Sequence, residues 1–134
     1  TLIVDGASAI TIQRRGVRSI FVGADRIVED GSTANKIGTF SLSIIARYFG
    51  IPFYVVAPLS TVQLGTKDIK VDERPPEEVT QIRGVQISTA GENVYNPVFD
   101  VTPPENITAI VTEKGIATPP YEQSLRALKS GSKS

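Results

Sequence analysis

The chain has 134 residues, enough for one domain with a hydrophobic core. Lysine plus arginine and aspartate plus glutamate both number 14, so the net charge does not indicate a nucleic-acid or membrane-surface partner. The absence of cysteine and histidine excludes a thiol nucleophile, a thiolate metal site and the commonest general base. All apolar runs are far shorter than the roughly 20 residues that span a bilayer.

The start of the chain does not resemble a signal peptide, because no basic region precedes an apolar stretch. The chain opens on the strand-like run Thr1-Leu2-Ile3-Val4 and contains no methionine. We therefore expect that an amino-terminal portion of the protein is missing from this sequence.

Strand-like and helix-like patterns alternate in the first half of the chain. Short apolar runs are typical of buried parallel strands, and glycines at 16 and 50 end two runs of helical spacing. The predicted elements are a strand at 2–4, a helix at 7–15, a strand at 17–22, a loop at 23–32, a helix at 33–49 and a strand at 51–57.

The second half begins with a polar, charged passage. Arg83-Gly84 lies between two β-prone runs and predicts a hairpin within residues 79–87. Thr102-Pro103-Pro104-Glu105 is typical of a helix start, so we expect a helix from there to Gly115. A final helix is predicted at 121–129 and a flexible tail at 130–134. The pattern as a whole predicts one α/β domain at 1–129, Rossmann-like and doubly wound, with a mainly parallel sheet and a small β-hairpin excursion.

The connection from residue 23 to residue 39 is the candidate ligand site. In open α/β sheets, ligands bind at the carboxyl ends of strands, where helix N-termini point at them. Asp25 follows the second predicted strand and is flanked by the small residues Gly23 and Ala24. In an apolar pocket its carboxyl group would suit proton transfer near neutral pH. The alternative is a structural role, in which Asp25 caps a turn or pairs with Arg26.

Asn35 and Lys36 lie at the mouth of the next predicted helix. Lys36, with Gly38 and Thr39, is a candidate phosphate cradle, because an ammonium group, free backbone N–H groups and the helix dipole all favour an anion. Asn35 is a candidate donor to a sugar hydroxyl. The alternatives are a solvated lysine and a helix-capping asparagine, and the Gly-Lys-Thr order of a Walker motif is absent.

Two other acids also call for interpretation. Asp5 ends the first predicted strand and could face the same crevice, although Gly6 beside it favours a turn. Asp100 lies among apolar residues, so we expect a fixed hydrogen-bond partner for it, most simply a structural one.

Together these segments resemble methylthioribose-1-phosphate isomerase. That family shares a superfamily with ribose-1,5-bisphosphate isomerase and the regulatory subunits of a translation-initiation exchange factor. The resemblance extends to about Thr118. It is carried by Gly23-Ala24-Asp25-Arg26-Ile27, Asn35-Lys36-Ile37-Gly38-Thr39, Pro52-Phe53-Tyr54-Val55, Ala57-Pro58-Leu59-Ser60-Thr61, Phe99-Asp100-Val101-Thr102-Pro103 and Thr112-Glu113-Lys114-Gly115.

The resemblance implies a cytoplasmic aldose–ketose isomerase of methionine salvage, acting on a small sugar phosphate. It implies that Asp25 is the acid–base residue and that Asn35 and Lys36 contact the sugar phosphate. It also implies a homodimer, no metal and no organic cofactor. The catalytic cysteine of the family belongs to an earlier segment, so we expect this chain to be inactive without that portion.

One local departure from the family is Asp30-Gly31-Ser32, where Asn-Gly-Asp is more usual. Two alternatives remain within the superfamily: a non-catalytic regulatory subunit of the exchange factor and ribose-1,5-bisphosphate isomerase. Asp25 and the segment at 99–103 favour an enzyme over the regulatory subunit. A dinucleotide-binding Rossmann domain is disfavoured, because no Gly-x-Gly-x-x-Gly follows a predicted strand.

Overall fold

The computed structural model describes residues 1–131, in which two four-stranded sheets pack around one core. In chain order the helices and strands are α1 (Ser8–Arg15), β1 (Ile20–Val22), β2 (Arg26–Val28), β3 (Thr33–Lys36), α2 (Thr39–Phe49), β4 (Phe53–Val56), β5 (Val62–Gln63), α3 (Glu77–Thr80), β6 (Gln81–Ile82), β7 (Val85–Gln86), β8 (Phe99–Thr102), β9 (Ala109–Thr112), β10 (Gly115–Ala117) and α4 (Tyr121–Ser130). Single 3₁₀ turns cover Asp5–Ala7, Leu59–Thr61 and Pro104–Asn106.

The first sheet has the order β1-β4-β9-β10 and contains two of the predicted strands, those at 17–22 and 51–57, as β1 and β4. β1 pairs with β4, and β4 with β9, in parallel; β10 adds an antiparallel edge. This sheet and its helices confirm the α/β, Rossmann-like class.

The two faces of the first sheet differ sharply in burial. One face carries Phe53, Val55 and Ile110, which are almost fully buried against α2 and α4. The register places a second set of apolar side chains together on the other face. We call this set the open face: Phe21, Tyr54, Val56, Val111 and Ile116. Phe21 is 63% exposed and Ile116 is 65% exposed, so no other part of residues 1–131 covers this face fully.

The second sheet, of order β5-β2-β3-β8, was not predicted. β2 and β3 form a hairpin inside the segment that we expected to be loop and helix, and β3 pairs antiparallel with β8. The chain therefore leaves the first sheet after β1 and enters the second sheet at Arg26. Asp25 lies at this crossing point.

A long excursion connects β5 to β8. It contains α3 and the β6–β7 hairpin, whose two turn residues Arg83 and Gly84 have φ values of 52° and 78°. Positive φ at both positions is what a two-residue hairpin turn requires. The predicted hairpin is confirmed.

The predicted helix at 33–49 was too long at its start. Residues 33–36 form β3 because they pair with β8, more than 60 residues further along the chain, with Thr33 opposite Thr102. Long-range pairing of this kind overrides local helical spacing. α2 begins only at Thr39, but it ends before Gly50, as predicted.

The helix predicted between 102 and 115 was wrong. Only Pro104–Asn106 form a helical turn, and Ala109–Thr112 form β9. The run Ile107-Thr108-Ala109-Ile110-Val111-Thr112 is rich in β-branched residues, which favour a strand once a neighbouring strand is available.

The chain ends differ in how well the sequence predicted them. Residues 2–4 are exposed and form no strand, contrary to expectation. The last helix is confirmed and extends to Ser130; the remainder of the predicted tail, 132–134, lies outside the described residues. No helix within residues 1–131 has the length and apolar character needed to cross a membrane.

Candidate active site

Asp25 lies just past the carboxyl end of β1, in the bend that leads to β2. Its backbone N–H donates to the carbonyl of Ala34 at 2.9 Å, which fixes the bend against β3. Its side chain is exposed and lines a cleft of about 390 Å³ that we call the acid cleft. The cleft is also lined by Arg26, Ala34, Lys70, Asp72 and Phe99.

One wall of the acid cleft comes from the excursion. The Asp72 carbonyl accepts from the N–H of Val98 at 3.0 Å, and the Arg74 N–H donates to the Asn96 carbonyl at 2.9 Å. These bonds hold the segment beside the chain that enters β8. Lys70 is thereby brought to the same cleft as Asp25, 45 positions earlier in the sequence. The sequence analysis did not identify Lys70, because nothing local in a charged passage marks it.

β3 separates the two predicted ligand residues. Neighbouring residues of a strand point to opposite faces, and directly paired residues of antiparallel strands point to the same face. Thr33 and Asn35 share a face with Asp100 and Thr102, and this face is turned to the core and α2. Ala34 and Lys36 share the other face with Phe99, and Ala34 and Phe99 line the acid cleft.

Lys36 is exposed and lies two residues beyond Ala34, a step of about 7 Å along the strand. It is not among the residues that line the acid cleft. It lines a different cleft of about 350 Å³ at the start of α2, the helix-start cleft, with Asp5, Ser8, Gly38 and Thr39. Asp25 and Lys36 therefore line two different clefts, which share no lining residue.

The Asn35 side chain takes part in a local network. Its amide donates to Oγ1 of Thr39 at 3.0 Å, and that hydroxyl donates to the carbonyl of Lys36 at 2.7 Å. These bonds close the turn between β3 and α2. The capping alternative considered for Asn35 therefore has direct geometric support.

The Asp100 side chain accepts a hydrogen bond from one of the backbone N–H groups of the predicted phosphate cradle. Its Oδ2 accepts from the Gly38 N–H at 2.8 Å, which gives Asp100 the fixed partner expected from the sequence. Its Oδ1 is buried and has no hydrogen-bond partner within residues 1–131. The Gly38 N–H is therefore not free for an anion, and Lys36 is the principal positive charge at this helix start.

Two glutamates accept hydrogen bonds from loop N–H groups elsewhere in the fold. The Gly65 N–H, assisted by Arg126, holds the pKa of Glu29 below its ordinary value of 4.5. The Leu59 N–H does the same for the pKa of Glu113, across a hydrogen bond of 2.9 Å. Both carboxylates act as fixed acceptors for loop N–H groups. Within residues 1–131, no group of three or more acidic side chains is placed to hold a metal ion.

Residues 1–119 match the model of the Initiation factor 2 subunit family. The chain belongs to this family. The match ends close to Thr118, where the resemblance found in the sequence also ends. It covers both clefts and the whole second sheet.

Family members with similar sequences include several isomerases. The methylthioribose-1-phosphate isomerase of Geobacillus thermodenitrificans is 58% identical over 96% of this chain and 37% of its own length. The corresponding Chloroflexus aurantiacus protein is 52% identical over 98% of this chain and 39% of its own length. The 5-deoxyribose 1-phosphate isomerase of Clostridium botulinum is 52% identical over 96% of this chain and 38% of its own length.

Solved structures of the family include proteins with two different names. The 5-methylthioribose 1-phosphate isomerase of Pyrococcus horikoshii superimposes with a TM-score of 0.92 at 47% identity, covering 97% of this chain and 37% of that one. The translation initiation factor eIF-2B subunit delta of A. fulgidus gives 0.89 at 45% identity, covering 96% and 38%. The chain therefore spans well under half the length of the relatives that it matches.

Proposed function

We propose that this chain is part of an aldose–ketose isomerase that converts 5-methylthioribose 1-phosphate to 5-methylthioribulose 1-phosphate, as in methionine salvage. One observation carries the proposal: Asp25 stands at the carboxyl end of a parallel strand, in a cleft with Arg26 and Lys70, in a chain 58% identical to an enzyme of that name. Asp25 can transfer protons, and the two cationic side chains attract an anionic substrate to the same cleft.

Asp25 acts as the general acid and base. In the reaction the bond between C1 and the ring oxygen breaks, and that oxygen takes a proton to become a hydroxyl group. The hydrogen on C2 moves to C1, and the C2 hydroxyl group loses its proton to become the ketone. One carboxyl group can serve both oxygen ends, by giving a proton to the ring oxygen and taking one from the C2 hydroxyl group.

Lys36 binds the phosphate of the sugar and Asn35 contacts the same ligand. Lys36 is exposed at the helix-start cleft, where its ammonium group can pair with phosphate oxygens. The Asn35 amide has two N–H groups and uses one for Thr39, so the second can donate to a ligand oxygen.

The site works together with the amino-terminal portion of the same protein, which packs on the open face. This face exposes Phe21, Val56 and Ile116 on one surface, and among the strands of residues 1–131 none pairs with the outer edge of β1. Parallel sheets are normally covered on both faces. The same portion would cover Asp25, which this chain leaves exposed to water.

The complete protein forms a homodimer through α2. Phe40, Ile44 and Tyr48 follow one another at helical spacing along its outer side, and Tyr48 is 83% exposed. Ile44→Asp in the complete gene product should shift its mass in solution from dimer to monomer at micromolar concentration. A monomeric parent protein would contradict the proposal.

A regulatory subunit of the translation-initiation exchange factor is the second candidate function. It is favoured by the likeness to the protein named eIF-2B subunit delta, at 45% identity. The Clostridium botulinum relative adds 5-deoxyribose 1-phosphate as a candidate substrate. Stable incorporation of the complete gene product into a multisubunit exchange factor, without turnover of either sugar phosphate, would favour the regulatory role.

The deciding experiment is an isomerase assay on the complete gene product, with Asp25→Asn as the test variant and Asp72→Asn as the control. Both residues line the acid cleft. Asp25→Asn should lower turnover by about 10² to 10⁴ with little loss of binding, and Asp72→Asn should stay within about threefold of the parent. Equal activities for the two variants would remove Asp25 from the mechanism. The isolated 134-residue chain should show no turnover.

A further inference from the structure

β8 holds the turn between β3 and α2 at several points. Asp100 lies directly opposite Asn35 in the strand register, and Phe99 lies opposite Lys36. One residue earlier, the Val98 carbonyl accepts from the N–H of Ile37 at 3.2 Å. The Asp100 Oδ2 then accepts from Gly38 at 2.8 Å, so the same strand also holds the turn where the backbone reverses into the helix.

The side chain of Asp100 would destabilise the fold at this position if its hydrogen bond to Gly38 contributed nothing. Its second oxygen, Oδ1, is buried and finds no partner in the described part of the chain, residues 1–131, and burying an unpaired carboxylate oxygen is costly. Gly38 has a φ of 102°, a conformation that other residues adopt at a cost and that the Asp100 bond fixes in place. The contact therefore specifies the geometry of one turn.

We propose that Asp100 is a positioning residue for the ligand-binding turn at residues 35–39. This inference rests on the proposed role of Asn35 and Lys36 in binding the sugar phosphate. Asp100 lies on the core face of the second sheet with Asn35, whereas Lys36 lies on the opposite face, so the carboxylate acts on Lys36 through the backbone of the turn. It holds the Gly38 backbone so that Lys36 stays at the mouth of the helix-start cleft.

Kinetics on the complete gene product test this role. Asp100→Ala should raise KM for the sugar phosphate by about 10-fold and leave kcat within about threefold, because Asp25 is held by a separate bond to Ala34. Tyr121→Phe is the matched control, since it removes a different buried hydrogen bond, to the Ile107 carbonyl, and should leave KM and kcat unchanged. An equal rise of KM in both variants would reduce Asp100 to a general contribution to stability and overturn the proposal.

Two milder variants keep the test valid if Asp100→Ala does not fold. Asp100→Asn retains a side-chain oxygen at the right distance from Gly38 and should stay within about threefold of the parent in KM. Asp100→Glu keeps the charge but moves the oxygens by one methylene, and should raise KM by about 10-fold. The reverse order of these two variants would mean that charge and not the hydrogen bond matters, and would overturn the proposal.

Binding of inorganic phosphate separates this proposal from the isomerase proposal. Calorimetry should find that phosphate binds Asp100→Glu about 10-fold more weakly than it binds the parent, whether or not the parent turns over a sugar. Equal phosphate affinities would overturn the positioning role alone. A weakened affinity in a protein without isomerase activity would support the positioning role and refute the isomerase function.

Discussion

Gly31, in the hairpin between β2 and β3, packs against the ring of Tyr121 at the start of α4. A methyl group added to Gly31 would lie 2.5 Å from Cδ2 and 2.6 Å from Cγ of that ring. Gly31 also has a φ of 92°, which side chains rarely adopt. Gly31→Ala therefore introduces two separate penalties at the hairpin that carries Asp25 and Lys36.

The size of the effect follows from the two penalties. Backbone strain at positive φ costs about 1–2 kcal/mol for a residue with a Cβ atom. Overpacking against a buried ring costs about 1–3 kcal/mol more, because the Tyr121 ring is 3% exposed and its hydroxyl group is bonded to Ile107 at 2.6 Å. We expect Gly31→Ala to lower the free energy of unfolding by about 2–5 kcal/mol, measured by urea unfolding followed by circular dichroism.

Gly91→Ala is the matched control. Gly91 has a φ of 83° but no atom within 4 Å of its added methyl group, so only the backbone strain applies. We expect a loss of about 1–2 kcal/mol there. If the two variants lose the same free energy of unfolding, the contact between Gly31 and Tyr121 contributes nothing and the reasoning is wrong.

Three further results are expected. Lys36→Gln in the complete gene product should raise KM for the sugar phosphate about 10-fold with little change in kcat, whereas Lys114→Gln, an equally exposed lysine at the β9–β10 turn, should change neither. Folding lowers the pKa of Glu113, so the ionised side chain stabilises the protein above pH 4.5, the ordinary pKa, and this contribution is lost as the pH falls through the lowered pKa. The free energy of unfolding should therefore fall on acidification below about pH 4.5, and it should fall less steeply in Glu113→Gln. Tyr121→Phe should lower the free energy of unfolding by about 1–2 kcal/mol in the same urea experiment, since the Ile107 carbonyl loses its donor; no change would show that water replaces the hydroxyl group.

Local pattern predicted those parts of the fold that local interactions determine. β1, β4, α1 and α4 lie where apolar runs, helical spacing and stop glycines placed them, and the Arg83-Gly84 turn forms the expected hairpin. The errors occurred where a distant partner decides the structure. β3 exists because of β8, and β9 exists because β4 lies beside it.

In the candidate site, too, the sequence predicted what local interactions determine and missed what distant residues determine. The sequence placed Asp25 at a strand end and Lys36 near a helix start, and both positions are as described. It could not place Lys70 at the acid cleft, because that depends on how residues 72–74 pair with residues 96–98. It also could not place the Asn35 and Lys36 side chains on opposite faces, because the sequence pattern assigned both to a helix.

The turn at Gly31 also determines which of two adjacent side chains, those of Asn35 and Lys36, lies on the face of β3 turned away from the core. Slipping β3 by one position against its partners would exchange the two faces, sending an ammonium group into the interior and an amide out to the solvent. Such a slip would be penalised by the buried charge, so the hairpin has a strong reason to keep a single alignment. A mutation at the tip of this hairpin could thus abolish phosphate recognition while leaving every binding residue in the sequence intact.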